Sequence, residues 1–203
     1  MAIRLITAPT VEPISLVEAK AHLRVDHTDD DALIAIYIQA ARAYVDGKDG
    51  FLGRALVTQT WELVLDEFPT DEVRIPLPPL QSIESIKYDD GAGDEQIFDP
   101  ASYFVDNVSD PYGWVVPVTS GWPSTFDAIN AVRIRFVAGY SPTTDSPPNL
   151  TSNIPASIKA AMLLHIGSLY SYRENVVVGL ITSKLPFASE QLLRPYRVQT
   201  GIA

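Results

Sequence analysis

A chain of 203 residues with 46% apolar and 20% charged residues can bury a sizeable core and is too apolar for wholesale disorder. Fifteen basic residues against twenty-five acidic ones give a formal charge of -10, which opposes the phosphate contacts behind most nucleic-acid affinity and argues against a protein that grips DNA. The absence of cysteine excludes disulfides and thiolate chemistry and is compatible with cytoplasmic assembly. No stretch approaches the roughly 20 apolar residues of a membrane span, so a soluble protein is expected.

Pro9 and Pro13 hold an extended lead-in. Ser15-Leu16-Val17-Glu18 then matches a capping box and starts a short helix, with Leu16, Ala19 and Leu23 on one face and an end near Arg24. The run Thr28-Asp29-Asp30-Asp31 supplies an N-cap and negative charge ahead of a second helix carrying Leu33, Ile34, Tyr37, Ile38, Ala41, Tyr44 and Val45. Gly47 or Gly50 is its expected terminator.

From Arg54 the hydrophobic period changes from helical to alternating. Ala55 to Leu65, Val73 to Ile75, Ile83 to Tyr88, Tyr103 to Val105, Trp114 to Val118 and Val132 to Val137 read as strands, and connections this short favour antiparallel pairing. Asp89 to Asp94 reads as a hairpin turn leading into Gln96-Phe98. Gly139 to Asn153 is linker-like. Pro155 is expected at the first position of a third helix running to Glu174, its apolar face formed by Ile158, Ala161, Met162, His165, Leu169 and Tyr172. Asn175 to Lys184 is apolar without clean periodicity, and Phe187 to Tyr196 reads as a last short helix bearing Leu192 and Leu193. The fold class is therefore α+β: a small core of N- and C-terminal helices (12–50 and 154–200) with a central antiparallel β insertion at about 55–140, in one domain spanning 1–203.

No catalytic constellation stands out. Asp26, His27, Asp29, Asp30 and Asp31 offer donors to a hard cation, but their spacing fits no known loop, and acids at a helix start are accounted for by capping. The Asp89–Asp94 turn lacks the alternating ligands and closing Glu of a calcium loop. His22, His27 and His165 are scattered, and His165 lies on an apolar helix face, as a core histidine does. Neither a Gly-x-Ser-x-Gly elbow nor a Gly-x-x-x-x-Gly-Lys loop is present. A carboxylate pair assembled in space would be invisible at this level, so a hydrolase stays open as a rival. Trp61, Trp114 and Trp122 could form a sugar-stacking platform, which keeps a carbohydrate- or host-binding module as the main alternative, although aromatics in a small β region are usually core or interface. Tyr170, Tyr172 and Arg173 beside Glu174 fit a partner patch and a charge-complemented helix end equally well.

Taken together, several pieces resemble the head-tail connector (adaptor) proteins of long-tailed double-stranded DNA phages and gene transfer agents. They are Leu16-x-x-Ala19-Lys20-x-His22-Leu23-Arg24-Val25-Asp26, Asp30-Asp31-x-Leu33-Ile34, Ala40-Ala41-Arg42-x-Tyr44-Val45, Gly53-Arg54-Ala55-Leu56-x-x-Gln59-Thr60-Trp61, Leu77-Pro78-Pro79-Leu80, Val137-Ala138-Gly139-Tyr140, Ile154-Pro155-x-x-Ile158-Lys159-x-Ala161 and Tyr172-Arg173-Glu174. No single piece is specific; their order and spacing over nearly the whole length carry the likeness.

The resemblance implies a structural virion protein and no enzyme, without cofactor or metal. It implies a ring of copies, commonly a dodecamer, docked under the portal protein at the head-tail junction and met on its other side by a stopper or tail-terminator protein. DNA would pass through the lumen without specific binding, and the subunit would reside in the host cytoplasm during assembly. Such a ring needs two different mating faces per subunit. Arg42, Tyr44, Arg173, Tyr196 and Arg197 are the candidate interface residues, because Arg and Tyr dominate interface hot spots. Asn175 to Ala203 is the expected portal-reaching arm, ordering on docking and dispensable for the fold of the rest.

Overall fold

The computed structural model describes residues 1–109, 111–118, 121–172 and 187–198. It is an α+β structure that divides into two compact units, a β unit of residues 1–10 with 54–141 and a helical unit of residues 11–53 with 142–203.

Among its described residues the β unit contains eight strands: β1 (Ala2–Thr7), β2 (Gln59–Leu65), β3 (Val73–Ile75), β4 (Leu80–Asp89), β5 (Glu95–Ile97), β6 (Tyr103–Asp106), β7 (Gly113–Pro117) and β8 (Val132–Ala138). They form a five-stranded sheet in the order β1-β2-β8-β4-β5 and a three-stranded sheet in the order β3-β7-β6. Every pairing is antiparallel. The organising strand is β8, where Val132, Ile134, Phe136 and Ala138 are buried and Arg133, Arg135 and Val137 face the other way, the period-2 alternation of a strand with one face on a core. Its inward residues join Trp61, Leu63 and Ile86 from the same sheet and Val73, Ile75, Tyr103 and Val115 from the smaller sheet in one core cluster.

Six of the expected strands begin or end at least one residue from where they were expected, only Val73–Ile75 matches at both ends, and one strand was not expected. Ala55 to Thr58 does not extend β2. Ala55 N–H donates to Pro78 O and Leu56 O accepts from Tyr140 N–H, so this buried stretch is satisfied by two loops rather than by a ladder. The lead-in before Pro9 is β1, the edge strand paired with β2 from Ala2↔Val64 to Thr7↔Thr60.

The helical unit contains α1 (Leu16–Leu23), α2 (Asp31–Val45), α3 (Ala156–Ser171) and α4 (Phe187–Leu193), the last followed by a 3-10 turn at Arg194–Tyr196. The capping box of α1 is formed, Ser15 Oγ accepting from Glu18 N–H and Glu18 Oε2 accepting from Ser15 N–H. Arg24 closes the helix in the left-handed region at φ 59°. Pro155 stands one position earlier than expected, as the N-cap of α3.

Thr28 does not cap α2. Asp30 is the N-cap residue, but its side chain makes no capping bond; it accepts the Tyr170 hydroxyl from α3 instead. Asp31 accepts from Lys20 Nζ at 2.6 Å. The acidic run thus ties α2 to its neighbours, which local sequence spacing could not show. Tyr172, expected on the apolar face of α3, is its exposed C-cap residue, because the helix ends before a further turn could carry that face along.

All three tryptophans of the chain lie in the β unit, so their fluorescence isolates that unit. Phe136→Ala removes a fully buried ring from its core and is expected to destabilise by about 3–5 kcal/mol. Urea titration followed by tryptophan emission should show the lowered midpoint, with the helical signal at 222 nm little changed.

Candidate functional site

Among the five candidate interface residues, the structure brings two together. Tyr44 on α2 stacks on Phe51, with centroids 5.8 Å apart, and on His165 of α3 at 5.2 Å. The Arg197 guanidinium lies 4.8 Å from the Phe51 centroid, inside the range of a cation–π contact. The result is a ladder His165–Tyr44–Phe51–Arg197 joining α3, α2, the turn after α2 and the C-terminal segment. Arg42 is elsewhere, its Nε bonded at 2.7 Å to Glu12 Oε2. Tyr196 is half-buried in the 3-10 turn, and Arg173 lies outside the described residues.

The ladder is reinforced by backbone. Val198 N–H donates to Leu52 O at 2.9 Å, and Ser189, Leu193 and Val198 are buried. Residues 187–198 are therefore part of the helical unit's packing, and the expectation that the segment after Asn175 is wholly dispensable for the fold is corrected for these residues. The cause is sequence-distant: Leu52 and Phe51 supply the seat, 135 and 136 residues upstream of the start of α4. Residues 173–186 lie outside the described residues.

His165 is the histidine of this ladder, and its Nδ1 is buried without a hydrogen-bond partner among the described residues. Burial alone pushes its pKa below the ordinary 6.5. Burial also pushes the Tyr44 hydroxyl up, Glu190 adding to the shift and Arg197 opposing it. The ladder positions groups; it aligns no nucleophile, base and acceptor for chemistry.

A second feature was not expected from the sequence. On the outward face of the three-stranded sheet Phe104 sits directly opposite Val116, with Trp114 opposite Asp106 in the next row. Phe104 is 66% exposed, and Val116 and Val118 are exposed beside it, while Val115, of opposite direction on the same strand, is fully buried. The signal was present: Trp114 to Val118 is an uninterrupted apolar run, which in a strand codes for burial on both faces.

The remaining candidates resolve into structure. Asp90 holds the hairpin with its own carboxylate, which accepts from Ala92 N–H and Asp94 N–H on one oxygen and from Gln96 Nε2 on the other; the Gln96 bond, with the backbone donors, holds its pKa below the usual carboxylate range. Trp61 is buried and donates to Gln59 Oε1. Trp122 stacks on Phe68 at 4.6 Å and donates to Asp71 O. With Trp61 in the core, the three indoles do not make one exposed platform. Among the described residues no group of three His, Asp or Glu could hold a metal ion, and no helix is long and apolar enough to cross a membrane.

The motif residues behind the resemblance sit at packing junctions. Gln59 Nε2 donates to Val57 O. Gly139, at φ 121°, brings its backbone so near that a Cβ would fall 2.4 Å from Val57 O, a position only glycine fills without displacing the stretch before β2.

The likeness to head-tail connectors is borne out. Residues 13–89 match the model of the phage gp6-like head-tail connector protein family. Three solved chains share the fold over 97% of this chain and 95% of theirs. One, from the neck of an empty gene transfer agent (GTA) particle computed with C6 symmetry, is 22% identical with a TM-score of 0.74. Others, 21% identical, come from the virion of a native GTA particle, with a TM-score of 0.73, and from the neck of a native GTA particle computed with C12 symmetry, with a TM-score of 0.72. No curated protein sequence matches the chain.

The His165 geometry fixes a sign. With a folded pKa below the unfolded one, the unfolded chain binds the proton first as pH falls, so the stabilisation is complete above about 6.5 and is lost on acidification toward the depressed value. Urea titrations read at 222 nm should give wild type a lower midpoint at pH 5.5 than at pH 7.5, and His165→Phe a smaller difference between the two. An equal difference in both proteins would remove His165 from the account.

Proposed function

We propose that this chain is a structural subunit of a virus-like particle's neck: a head-tail connector, or adaptor, that forms a ring of copies beneath the portal protein, extends the DNA channel and joins head to tail. The observation that carries the proposal is the fold shared with neck chains along almost the whole of both partners, joined to the connector-family match over residues 13–89. The C12 and C6 symmetries belong to those neck structures; for this chain a dodecameric ring is the proposed state. Portal on one side and a stopper or tail-terminator on the other are the proposed partners, with the host cytoplasm as the place of assembly and the virion head-tail junction as the destination.

The role is mechanical, with no bond to make or break. The helical core (12–50 and 154–200) and the β insertion (about 55–140) act in it as one connector domain. A formal charge of -10 suits a wall along which DNA slides, since like charge leaves no deep binding well. Tyr196 and the exposed Arg197 are the contact residues retained from the sequence-based candidates, and Arg173, outside the described residues, is kept as a further candidate.

Deleting the coding region from the genome that encodes this chain is expected to yield filled heads and free tails that do not join, seen by negative-stain microscopy, with joining restored by the purified protein. Normally tailed particles from the deletion would refute the connector role. Purified protein mixed with the cognate portal should co-migrate in size-exclusion chromatography, and an Arg197→Glu variant should co-migrate less.

A further inference from the structure

Resting on the reading of this chain as one of several copies around an axis, we propose that the outward face of the three-stranded sheet, centred on Phe104 and Val116, docks against the helical unit of a second copy. Three observations converge on that occupant. First, β7 is apolar in both directions: Val115 is fully buried while Trp114 and Val116 share the opposite face with Phe104, and Val118 is exposed just past the strand's end. A solvent-facing strand alternates with polar residues, and a contiguous apolar face rimmed by polar groups marks an interaction surface. Its rim is polar here, with Arg74 over the Tyr112 ring at 4.6 Å on one side and Asp106 bonded to Ser109 on the other.

Second, charge selects what can cover it. The β unit carries six basic and fourteen acidic residues, and the helical unit nine and eleven, so nearly all of the chain's net charge sits on the β unit. Two β units face to face would repel more strongly than a β unit facing the near-neutral helical unit of another copy. Third, the helical unit offers apolar side chains that its own packing leaves out: Val17 on α1 is 77% exposed and Ile36 on α2 is 60% exposed. A contact between unlike faces of identical copies is heterologous and closes into a ring when the rotation permits.

The absence of native cysteine makes the test direct. Phe104→Cys and Val17→Cys are prepared separately, with Ile36→Cys as a second helical position, and treated with a short bifunctional maleimide alone and in mixtures. Mixtures of Phe104→Cys with Val17→Cys or Ile36→Cys should give covalent dimers, and each variant alone should not. In parallel, Phe104→Asp should reduce wild-type self-association at least tenfold by sedimentation velocity while its tryptophan-monitored urea midpoint stays unchanged, since the ring is outside the core.

Dimers of Phe104→Cys with itself would show a like-on-like contact and overturn the assignment. Self-association that survives Phe104→Asp would overturn it too. If Phe104→Asp instead abolished signal on a glycan array that wild type binds, the face would be a sugar site and the proposal wrong. Wild type that stays monomeric at its highest soluble concentration and also on the cognate portal would sink the ring reading itself, a result distinguishable from failure of this surface alone.

Discussion

The pairing of β8 with β2 on one side and β4 on the other is the constraint from which the β unit follows. Seven consecutive positions of β8 are in register with β2, from Leu65↔Val132 to Gln59↔Ala138. Because side chains alternate, that register sends Leu63, Ile134 and Ile86 to one face and Glu62 and Arg135 to the other. A one-residue slip would exchange the two sets, burying charge and exposing Phe136. The polar face then organises itself by the same register. Arg4, Glu62 and Arg135 fall in one row across β1, β2 and β8, and the buried Glu62 carboxylate accepts from both arginines. Next along, Arg133 bonds Asp89 and Glu95, and Lys87 bonds Glu95. A carboxylate removed from water needs such partners, and here strand register supplies them.

What was legible in the sequence and what was not divides by range. Elements whose signal is local came through: the Ser15 capping box, the α2 stripe, the Asp89–Asp94 turn and the alternation of β8. Several misses depend on partners far away in the chain. β1 is an edge strand whose partner β2 lies more than fifty residues on, and nothing within Ala2–Thr7 announces it beyond Ile3 and Leu5 flanking Arg4. Asp30 looks like a cap by neighbourhood and becomes a hydrogen-bond acceptor for Tyr170, 140 residues away. Tyr44 and Arg197 were chosen by residue type alone, and their meeting through Phe51 depends on the chain returning to α2 after α4. The outward apolar face of β7 was readable in principle, since five apolar residues in a row violate alternation, but which face goes uncovered is a property of the assembled sheets.

The helical unit solves a different problem, that of holding a short last helix. Seven residues of α4 are below the length at which an isolated helix is stable, so the segment depends on tertiary contacts. Leu193 and Val198 bury against the unit, and the Val198–Leu52 backbone bond and the Arg197–Phe51 contact fix the chain beyond it. The ring ladder beneath suits this task, because stacked and edge contacts between aromatic groups add about 0.5–1.5 kcal/mol each beyond their area. His165 at its far end contributes a flat ring, and its burial, which lowers its pKa, makes that contribution depend on the ring staying uncharged.

The acidity of the β unit has a structural origin that bears on how it can act. Many of its excess carboxylates sit in turns and satisfy backbone donors: Asp66 accepts from Asn130 N–H, Asp99 from Ala101 N–H, and Asp106 from Val108 and Ser109 N–H. A unit of eight short strands has many connections, and Asp is favoured in them because its side chain can close a turn locally. Negative charge therefore accumulates wherever chain reversals accumulate, at strand ends and loop tips, while the strands themselves carry compensated ion pairs. The field around the unit is consequently repulsive to phosphate at its tips and nearly balanced across its polar sheet face. Under the proposed connector role, such a surface would be wet by counterions without offering the clustered cations that would arrest a moving duplex. In the proposed ring the same repulsion would act between neighbouring copies and favour contacts between unlike units over contacts between two β units.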